Sequence, residues 1–281
     1  MTAAEITSEL EAALEEFRIT PSRLALISPL QERKGERFSY RLEADDGRIL
    51  KLRLLDSVDR ATFLLEERAR IEEAFAPALA RCGRVLLEEW IEGQPLSPPD
   101  EDARAEEAGA LLGRLHGMPL KPEVPAVFGT GEWIANAESD LELLAAANEL
   151  DVDEVRSLRA EIIRLDPGSA PAALIHKDFC AENMVIDTRG RLRVIDNEQM
   201  VVEPAGFDLG RTFDRWPMSD DAWQRFLSGY RTAAPAEPRA LAFWQIVATL
   251  VGARVRLQRD PARLLATLDR VRGFISGLSK G

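Results

Sequence analysis

Four residues that could do chemistry, His176, Lys177, Asp178 and Asn183, fall within eight positions in LIHKDFCAENMVID, and Asp196 follows in LRVIDNEQ. These are scarce types here: the chain has two histidines, four asparagines and five lysines among its 36 basic residues. An amide oxygen and a carboxylate are hard oxygen donors of the kind that hold Mg²⁺, with water and substrate phosphates completing the shell. A loop carboxylate near such an ion, here Asp178, could accept a proton from an attacking hydroxyl. Taken singly, each of these residues could equally satisfy loop backbone or flank a turn. Their grouping favours the chemical reading.

That grouping has to be built by local structure. NMVID, TRGR and LRVID read as two β segments around a turn at Arg189-Gly190. With that centre Met184 faces Ile195, Val185 faces Val194, and Asn183 faces Asp196, with Cβ atoms about 4.5–5.5 Å apart. A three-residue loop would shift this register and undo the pairing. Asp178 enters the hairpin from the loop before it.

The rest of the chain divides by pattern. Residues 1–17 read as a helix. LALIS (24–28), RFSYRLEA (37–44) and RILKLRLL (48–55) read as strands, the last two joined by an Asp45-Asp46-Gly47 turn of hairpin type. Helical periodicity runs from Val58 to Ala78, and RVLLEEWI (84–91) is a further strand. The Pro-rich GQPLSPPDED (93–102) is the boundary candidate, after which the chain is mostly helical. The expected class is α+β: residues 1–92 as a small antiparallel-sheet lobe with one main helix, and residues 93–281 as a larger, mostly helical lobe.

The spacing His176, Asp178, Asn183, then a short hairpin and Asp196, resembles the catalytic segment of the protein-kinase-like fold. IDNE at 195–198, FDLGRT at 207–212 and LLGRLHGM at 111–118 make the chain similar to the aminoglycoside phosphotransferase and choline kinase branch, over about 24–230. The resemblance implies that Asp178 is the catalytic base and that Asn183 and Asp196 are magnesium ligands. Glu198 stands where a second acid near the metal is often found. Asp208 and His176 would brace the catalytic loop, and His116 belongs to the LLGRLHGM signature.

Alternation in RILKLRLL puts Leu50, Leu52 and Leu54 on one face and Ile49, Lys51 and Arg53 on the other. Basic residues at alternate positions often mark a merely solvated face. The resemblance instead assigns Lys51 to the nucleotide α/β-phosphates and Ile49 to the adenine. Leu64, Glu67, Ile71 and Phe75 lie at helical spacing. A carboxylate on that apolar stripe needs a partner; the resemblance pairs Glu67 with Lys51, with Glu66 as the fallback. LLEEWIEG (86–93) resembles the interlobe hinge, where backbone groups of Glu89, Trp90 and Ile91 would bind a purine. Two features depart from the family. The phosphate-covering loop, PLQERKGERFSY, has the single glycine Gly35, and Lys177 stands where the branch usually has a small residue. Lys177 could alter the acceptor site or contact a phosphate.

Composition narrows the classes. Hydrophobic residues are 46% and charged ones 30%, which suits a chain with a real core. The longest charge-free stretch, Ala240–Ala253, is too short for a membrane span of about 20 residues. The acidic N-terminus does not resemble a signal peptide, so a cytoplasmic protein is expected. A net charge of −12 disfavours nucleic acid as a partner and leans toward cationic small molecules. Cys82 and Cys180 cannot form a disulfide framework. The reading is a kinase using Mg²⁺ and ATP or GTP to phosphorylate a small-molecule hydroxyl, with an amino-sugar acceptor foremost and a sugar or amino alcohol as the alternative. Trp133, Asp214, Trp216 and Trp223 are the candidate acceptor-lining residues. A nucleotide-binding pseudokinase and an unrelated metal hydrolase are the competing classes.

Overall fold

The computed structural model describes residues 3–27, 38–71, 73–98, 100–234 and 240–276. The glycine-poor loop around Gly35 lies outside the described residues. The chain forms two compact units, Met1–Pro95 with Met184–Glu198, and Leu96–Asn183 with Gln199–Gly281.

The first unit begins with α1 (Ala3–Glu16), followed by β1 (Pro21–Leu26), β2 (Phe38–Ala44), β3 (Ile49–Leu54), α2 (Val58–Arg68), β4 (Ala78–Cys82), β5 (Val85–Glu89) and β6 (Gly93–Pro95). Five strands make an antiparallel sheet in the order β1-β2-β3-β5-β4. Period-two alternation in β3 sends Leu50, Leu52 and Leu54 into a core shared with Leu42, Val85 and Leu87. Lys51 and Arg53 occupy the other face.

Two expectations are corrected here. The helix expected over 58–78 stops at Arg68, and the segment before Pro77 pairs elsewhere. The Ala76 N–H donates to Val194 O at 3.0 Å and the Val194 N–H to Ala74 O at 2.7 Å. The second correction concerns the hairpin of β9 (Met184–Asp187) and β10 (Leu192–Val194), which joins β6 in a three-stranded sheet. Its register pairs Met184 with Val194 and Val185 with Arg193, one position off the expected pairing. The cause is a three-residue loop, Thr188-Arg189-Gly190. It is closed by the Gly190 N–H on Asp187 O, and Gly190 takes φ +76°. The opposition of Asn183 and Asp196 inferred from the shorter turn therefore does not hold.

The second unit contains α3 (Asp100–Ala103), α4 (Ala105–His116), β7 (Val127–Gly129), α5 (Gly131–Ala146), α6 (Val152–Leu165), β8 (Ser169–Ile175), β11 (Val201–Pro204), α7 (Ala205–Arg215), α8 (Asp220–Ala233), α9 (Leu241–Arg259) and α10 (Leu264–Ser276). Strands β11-β8-β7 form a small antiparallel sheet. The core gathers Leu141, Leu158, Ile175, Trp244, Val247 and Leu250 from α5, α6, β8 and α9. Helices α4 and α8 approach closely through glycines: a Cβ on Gly109 would lie 1.9 Å from Phe226 O, and one on Gly229 1.9 Å from Glu106 O. No described helix is long and apolar enough to cross a membrane.

Candidate active site

In the first unit a charged cluster forms around β3. Lys51 Nζ lies 3.2 Å from Asp196 Oδ1, and the same oxygen accepts from Arg53 Nη2 at 2.8 Å. Arg53, only 1% exposed, spans three acids. Its Nη1 is 2.9 Å from Glu198 Oε2, and its Nε donates to Glu88 Oε2 at 3.1 Å. Arg68, from the last turn of α2, donates to Glu88 Oε1 and to Ala76 O. Three cations thus meet three carboxylates, so burial leaves no formal charge uncompensated.

The electrostatics follow from this contest between burial and partners. Burial pushes the Asp196 carboxyl up, but Arg53 and Lys51 prevail and hold it well below the usual range. Burial and the neighbouring Asp196 raise Glu198 despite Arg53. For Glu88, burial works upward while Arg68, Arg53 and Lys51 bring it down to about 2. Asp196 adopts φ +61°. That left-handed geometry is one an aspartate tolerates, and such residues concentrate at functional sites.

This cluster borders a cavity of about 450 Å³. Ile27, Val185, Ile195 and Ile91 give it apolar walls, while Lys51 and Asp196 stand on its polar side. A mainly apolar cavity with a few convergent charges suits a heterocycle carrying phosphates. Glu89, Trp90 and Ile91 all line it. The Glu89 N–H already donates to Pro77 O at 3.0 Å, so a purine edge would fall to Trp90 and Ile91, beyond the strand end. Gly93 lets β6 close on β9, since a Cβ there would sit 2.2 Å from Ile186 O.

Two residues sit differently from expectation. Glu67 is buried, but its Oε2 accepts from Arg70 at 2.8 Å, and Lys51 meets Asp196 instead. Arg68, one position further on, is the α2 residue that enters the network, so Glu88 of β5 supplies the buried acid beside Lys51; Glu66 is exposed. Ile49 lines a neighbouring polar cavity of about 380 Å³ with Arg189, Arg191 and Arg193.

In the second unit, β8 delivers the loop from His176 to Asn183. Asp208 on α7 fixes its start: Oδ2 accepts the His176 N–H and Oδ1 the Lys177 N–H, each at 2.7 Å. His116 Nε2 is 3.2 Å from Asp208 Oδ2 and its Nδ1 is 2.9 Å from the Tyr230 hydroxyl. Burial raises the Asp208 carboxyl, but His116 and the donated hydrogen bonds lower it further, so it braces the loop as an anion. Asp178 then projects beside arginines, with Arg215 Nε at 3.0 Å and Arg211 Nη2 at 3.9 Å from Oδ1. Asn183 Nδ2 donates to the Asp178 carbonyl at 2.8 Å and to Oδ2 at 3.2 Å. The acid is aimed and its neighbour's amide is oriented, with no described residue donating to Asn183 Oδ1.

Asp196 in the first unit and Asn183 in the second each carry a hard oxygen donor of the type Mg²⁺ accepts. Asp196 is an ionised carboxylate whose side chain is 37% exposed, and Asn183 offers an open amide oxygen. Among the described residues no group of three or more His, Cys, Asp or Glu side chains could hold a metal.

Sequence reasoning missed Arg53, Arg68, Glu88, Arg211 and Arg215. Arg53 carried a signal, standing two positions from Lys51 on the same strand face. Arg211 and Arg215 follow Asp208 at i+3 and i+7, also on one helix face. Of the acceptor candidates, Asp214, Trp216 and Trp223 are buried. Asp214 is bound to Arg256 and Arg270, Trp216 to Glu101, and Trp223 stacks on Phe226. Trp133 is half-buried and lines a cavity in this unit.

Residues 33–244 match the phosphotransferase enzyme family. Among solved structures, the choline kinase LicA from Streptococcus pneumoniae superposes with a TM-score of 0.68 at 14% identity, covering 98% of this chain and 100% of that one. A choline/ethanolamine kinase family protein from Mesorhizobium loti gives 0.65 at 20% identity, covering 98% and 95%. The ADP-bound aminoglycoside phosphotransferase APH(2'')-Ib gives 0.61 at 16%, covering 96% and 97%. At these identities the likeness establishes the fold, a protein-kinase-like α+β architecture as expected. No curated protein matches the chain.

Proposed function

This chain belongs to the phosphotransferase enzyme family, and we propose that it moves the γ-phosphoryl group of ATP or GTP to a hydroxyl of a small molecule. The observation that carries the reading is Lys51 meeting Asp196 at 3.2 Å on the wall of a mainly apolar cavity of about 450 Å³. Nucleotide phosphates placed there would replace the lysine's present partner charge. Trp90 and Ile91 would offer backbone groups to the base, and Lys51 would neutralise the phosphates.

Asp196 and Asn183 would hold Mg²⁺, which supplies charge neutralisation to the phosphates when bound. Asp178, held by Arg215 and Asn183, would align the acceptor hydroxyl and take its proton. An O–P bond forms to the acceptor as the bond to the β-phosphate bridging oxygen breaks, giving a phosphomonoester and the nucleoside diphosphate. Such transfer is mainly positioning and charge stabilisation, so few side chains suffice. The work is assigned to the cytoplasm, where nucleoside triphosphates are available.

The acceptor belongs to the amino-sugar or sugar class. The net charge of −12 attracts amines at long range, but steering governs encounter more than contact selectivity.

The test is incubation with ATP or GTP and Mg²⁺ against amino sugars, sugars and amino alcohols, with mass spectrometry for an added phosphoryl group. Asp178→Asn should lose at least a thousandfold in kcat while Mg·ADP still raises its Tm. Full turnover in that variant would remove Asp178 from the mechanism.

A further inference from the structure

Helix α7 carries Arg211, Asp214 and Arg215 at positions i, i+3 and i+4, so all three share one face. Asp214, 1% exposed, is the point on which the surrounding helices converge. Arg256 of α9 donates to both of its carboxylate oxygens, at 2.7 and 3.0 Å, and Arg270 of α10 donates to Oδ1 at 3.0 Å. Gly252 leaves the space this needs, because a Cβ there would lie 2.2 Å from Asp214 Oδ2 and 2.5 Å from Arg256 Nη1. The cluster reaches the catalytic loop directly, through Arg215 Nε at 3.0 Å from Asp178 Oδ1. All of these residues belong to the second unit.

The charges here do not balance. Arg211, Arg215, Arg256 and Arg270 face two carboxylates, Asp178 and Asp214, which leaves two positive charges in excess. On the rim the exposed acids Glu182 and Asp260 share the exposed Arg263, and Glu182 also accepts from Arg215 Nη2 at 3.1 Å. Such solvated pairs are weak and screened. Arg211 is the cation least satisfied. Its Nη1 stands 3.6 Å from Asp214 Oδ2 and its Nη2 3.9 Å from Asp178 Oδ1, both beyond hydrogen-bonding distance. Burial, with Arg215 and Arg256 alongside, lowers its guanidinium despite Asp214 and Asp178, as burial and Arg256 lower that of Arg270.

The carboxylates, in contrast, are engaged: Asp178 by Arg215, Asp214 by Arg256 and Arg270, Glu182 by Arg215 and Arg263. An ammonium group arriving beside Asp178 would meet acids that already hold a guanidinium, whereas an anion would meet Arg211. Both residues can be reached, since 15% of the Arg211 side chain and 16% of the Asp178 side chain are in solvent. Guanidinium groups bind carboxylate and phosphate oxygens through charge-assisted hydrogen bonds of about 2.8 Å. An anionic oxygen on Arg211 and a hydroxyl on Asp178 would then lie a few bonds apart in one small molecule.

We propose that Arg211 selects the acceptor, and that the acceptor carries a carboxylate or phosphate group near the hydroxyl that Asp178 deprotonates. It is an acidic polyhydroxyl compound of the sugar-acid or sugar-phosphate kind. The field of a chain of net charge −12 slows its arrival, and the local excess of cations holds it once it is there. The proposal rests on the kinase reading above and narrows its acceptor.

Matched pairs test it, each with Mg²⁺ and ATP or GTP: glucuronate with glucose, gluconate with sorbitol, and glucose 6-phosphate with glucose, with glucosamine as the cationic comparison. The anionic member of at least one pair should be phosphorylated with kcat/KM at least tenfold above its neutral counterpart and above glucosamine. Which pair responds tells carboxylate from phosphate. Arg211→Gln should raise the KM of that acceptor at least tenfold, hold nucleotide KM within twofold, and bring the anionic and neutral members within threefold of each other. Arg211→Lys keeps the charge and should restore most of the preference. A residue that only supports the fold would lower activity on both members alike, and that outcome overturns the role given to Arg211. The comparison of pairs in the native protein needs no variant: preference there for the neutral or aminated member overturns the proposal. So does rejection of every compound while Mg·ADP still raises Tm, an outcome that leaves the kinase reading standing. Absence of any nucleotide-induced shift overturns both.

Discussion

Glu88→Gln removes one negative charge from the most buried part of the β3 network and leaves the shape of the side chain nearly unchanged. In the native protein Glu88 accepts from Arg68 through one oxygen and from Arg53 Nε at 3.1 Å through the other, and it stands opposite Lys51 in the sheet. Burial alone would raise its carboxyl, but the two arginines and Lys51 bring it to about 2 from an ordinary 4.5. That difference is worth about 3 kcal/mol of folding stability. Because the folded value is the lower one, the contribution is complete above pH 4.5 and disappears as pH falls toward about 2. The variant also leaves Arg53 and Arg68 short of counter-charge, and breaking a buried pair from one side costs about 3–5 kcal/mol. Urea-dependent hydrogen exchange at the β3 and β5 amides reads the unit that holds the pair. At pH 7 the variant should be less stable by about 3–5 kcal/mol. The gap should narrow by about 1 kcal/mol between pH 4.5 and pH 3.5. A cost below about 1 kcal/mol at pH 7, no more than an exposed ion pair gives, would refute the reasoning, as would a gap that ignores pH in that window.

Gly109→Ala should cost about 3 kcal/mol or more, visible as a lowered Tm, because its Cβ would lie 1.9 Å from Phe226 O and backbone must move to admit it. Asp208→Asn keeps one accepting oxygen but turns an NH₂ toward one of the two N–H groups of His176 and Lys177. It should lower kcat by about tenfold or more while nucleotide KM holds within twofold, in steady-state assays. Chelation of divalent ions should abolish transfer yet leave the Tm of the nucleotide-free protein unchanged, since the donor chemistry assigns the ion to the nucleotide and not to the fold.

What the sequence discloses depends on how local the cause is. The burial of Leu50, Leu52 and Leu54 against a charged opposite face is a period-two pattern within six residues, and the strand shows it directly. The spacing of Asp178 and Asn183 is likewise a property of one loop. The hairpin register is not, because one residue in the turn decides it. Thr188-Arg189-Gly190 closes with glycine in the left-handed region where the sequence pattern alone suggests a two-residue turn. The choice between Glu67, Glu66 and Arg68 as the residue of α2 that enters the network depends on β5, far along the chain. Strands β6, β7 and β11 are only three or four residues long, too short for alternation to emerge. The pairing of Asp178 with Arg211 and Arg215 joins segments some thirty residues apart, and no local pattern announces it.

That Met184–Glu198 packs with the first 95 residues has a consequence for biosynthesis. Among the described residues strand β6 pairs with β9, and the carboxylate that meets Lys51 at 3.2 Å is Asp196. A nascent chain that has left the ribosome as far as Pro95 therefore carries an unpaired strand edge and a buried-facing Arg53 lacking two of its three counter-ions. At about 5–20 residues per second, roughly 5–20 s pass before the missing hairpin emerges. During that interval the intervening helical segment is made and β6 is open to outside strands. Its pairing waits on the second half of the polypeptide.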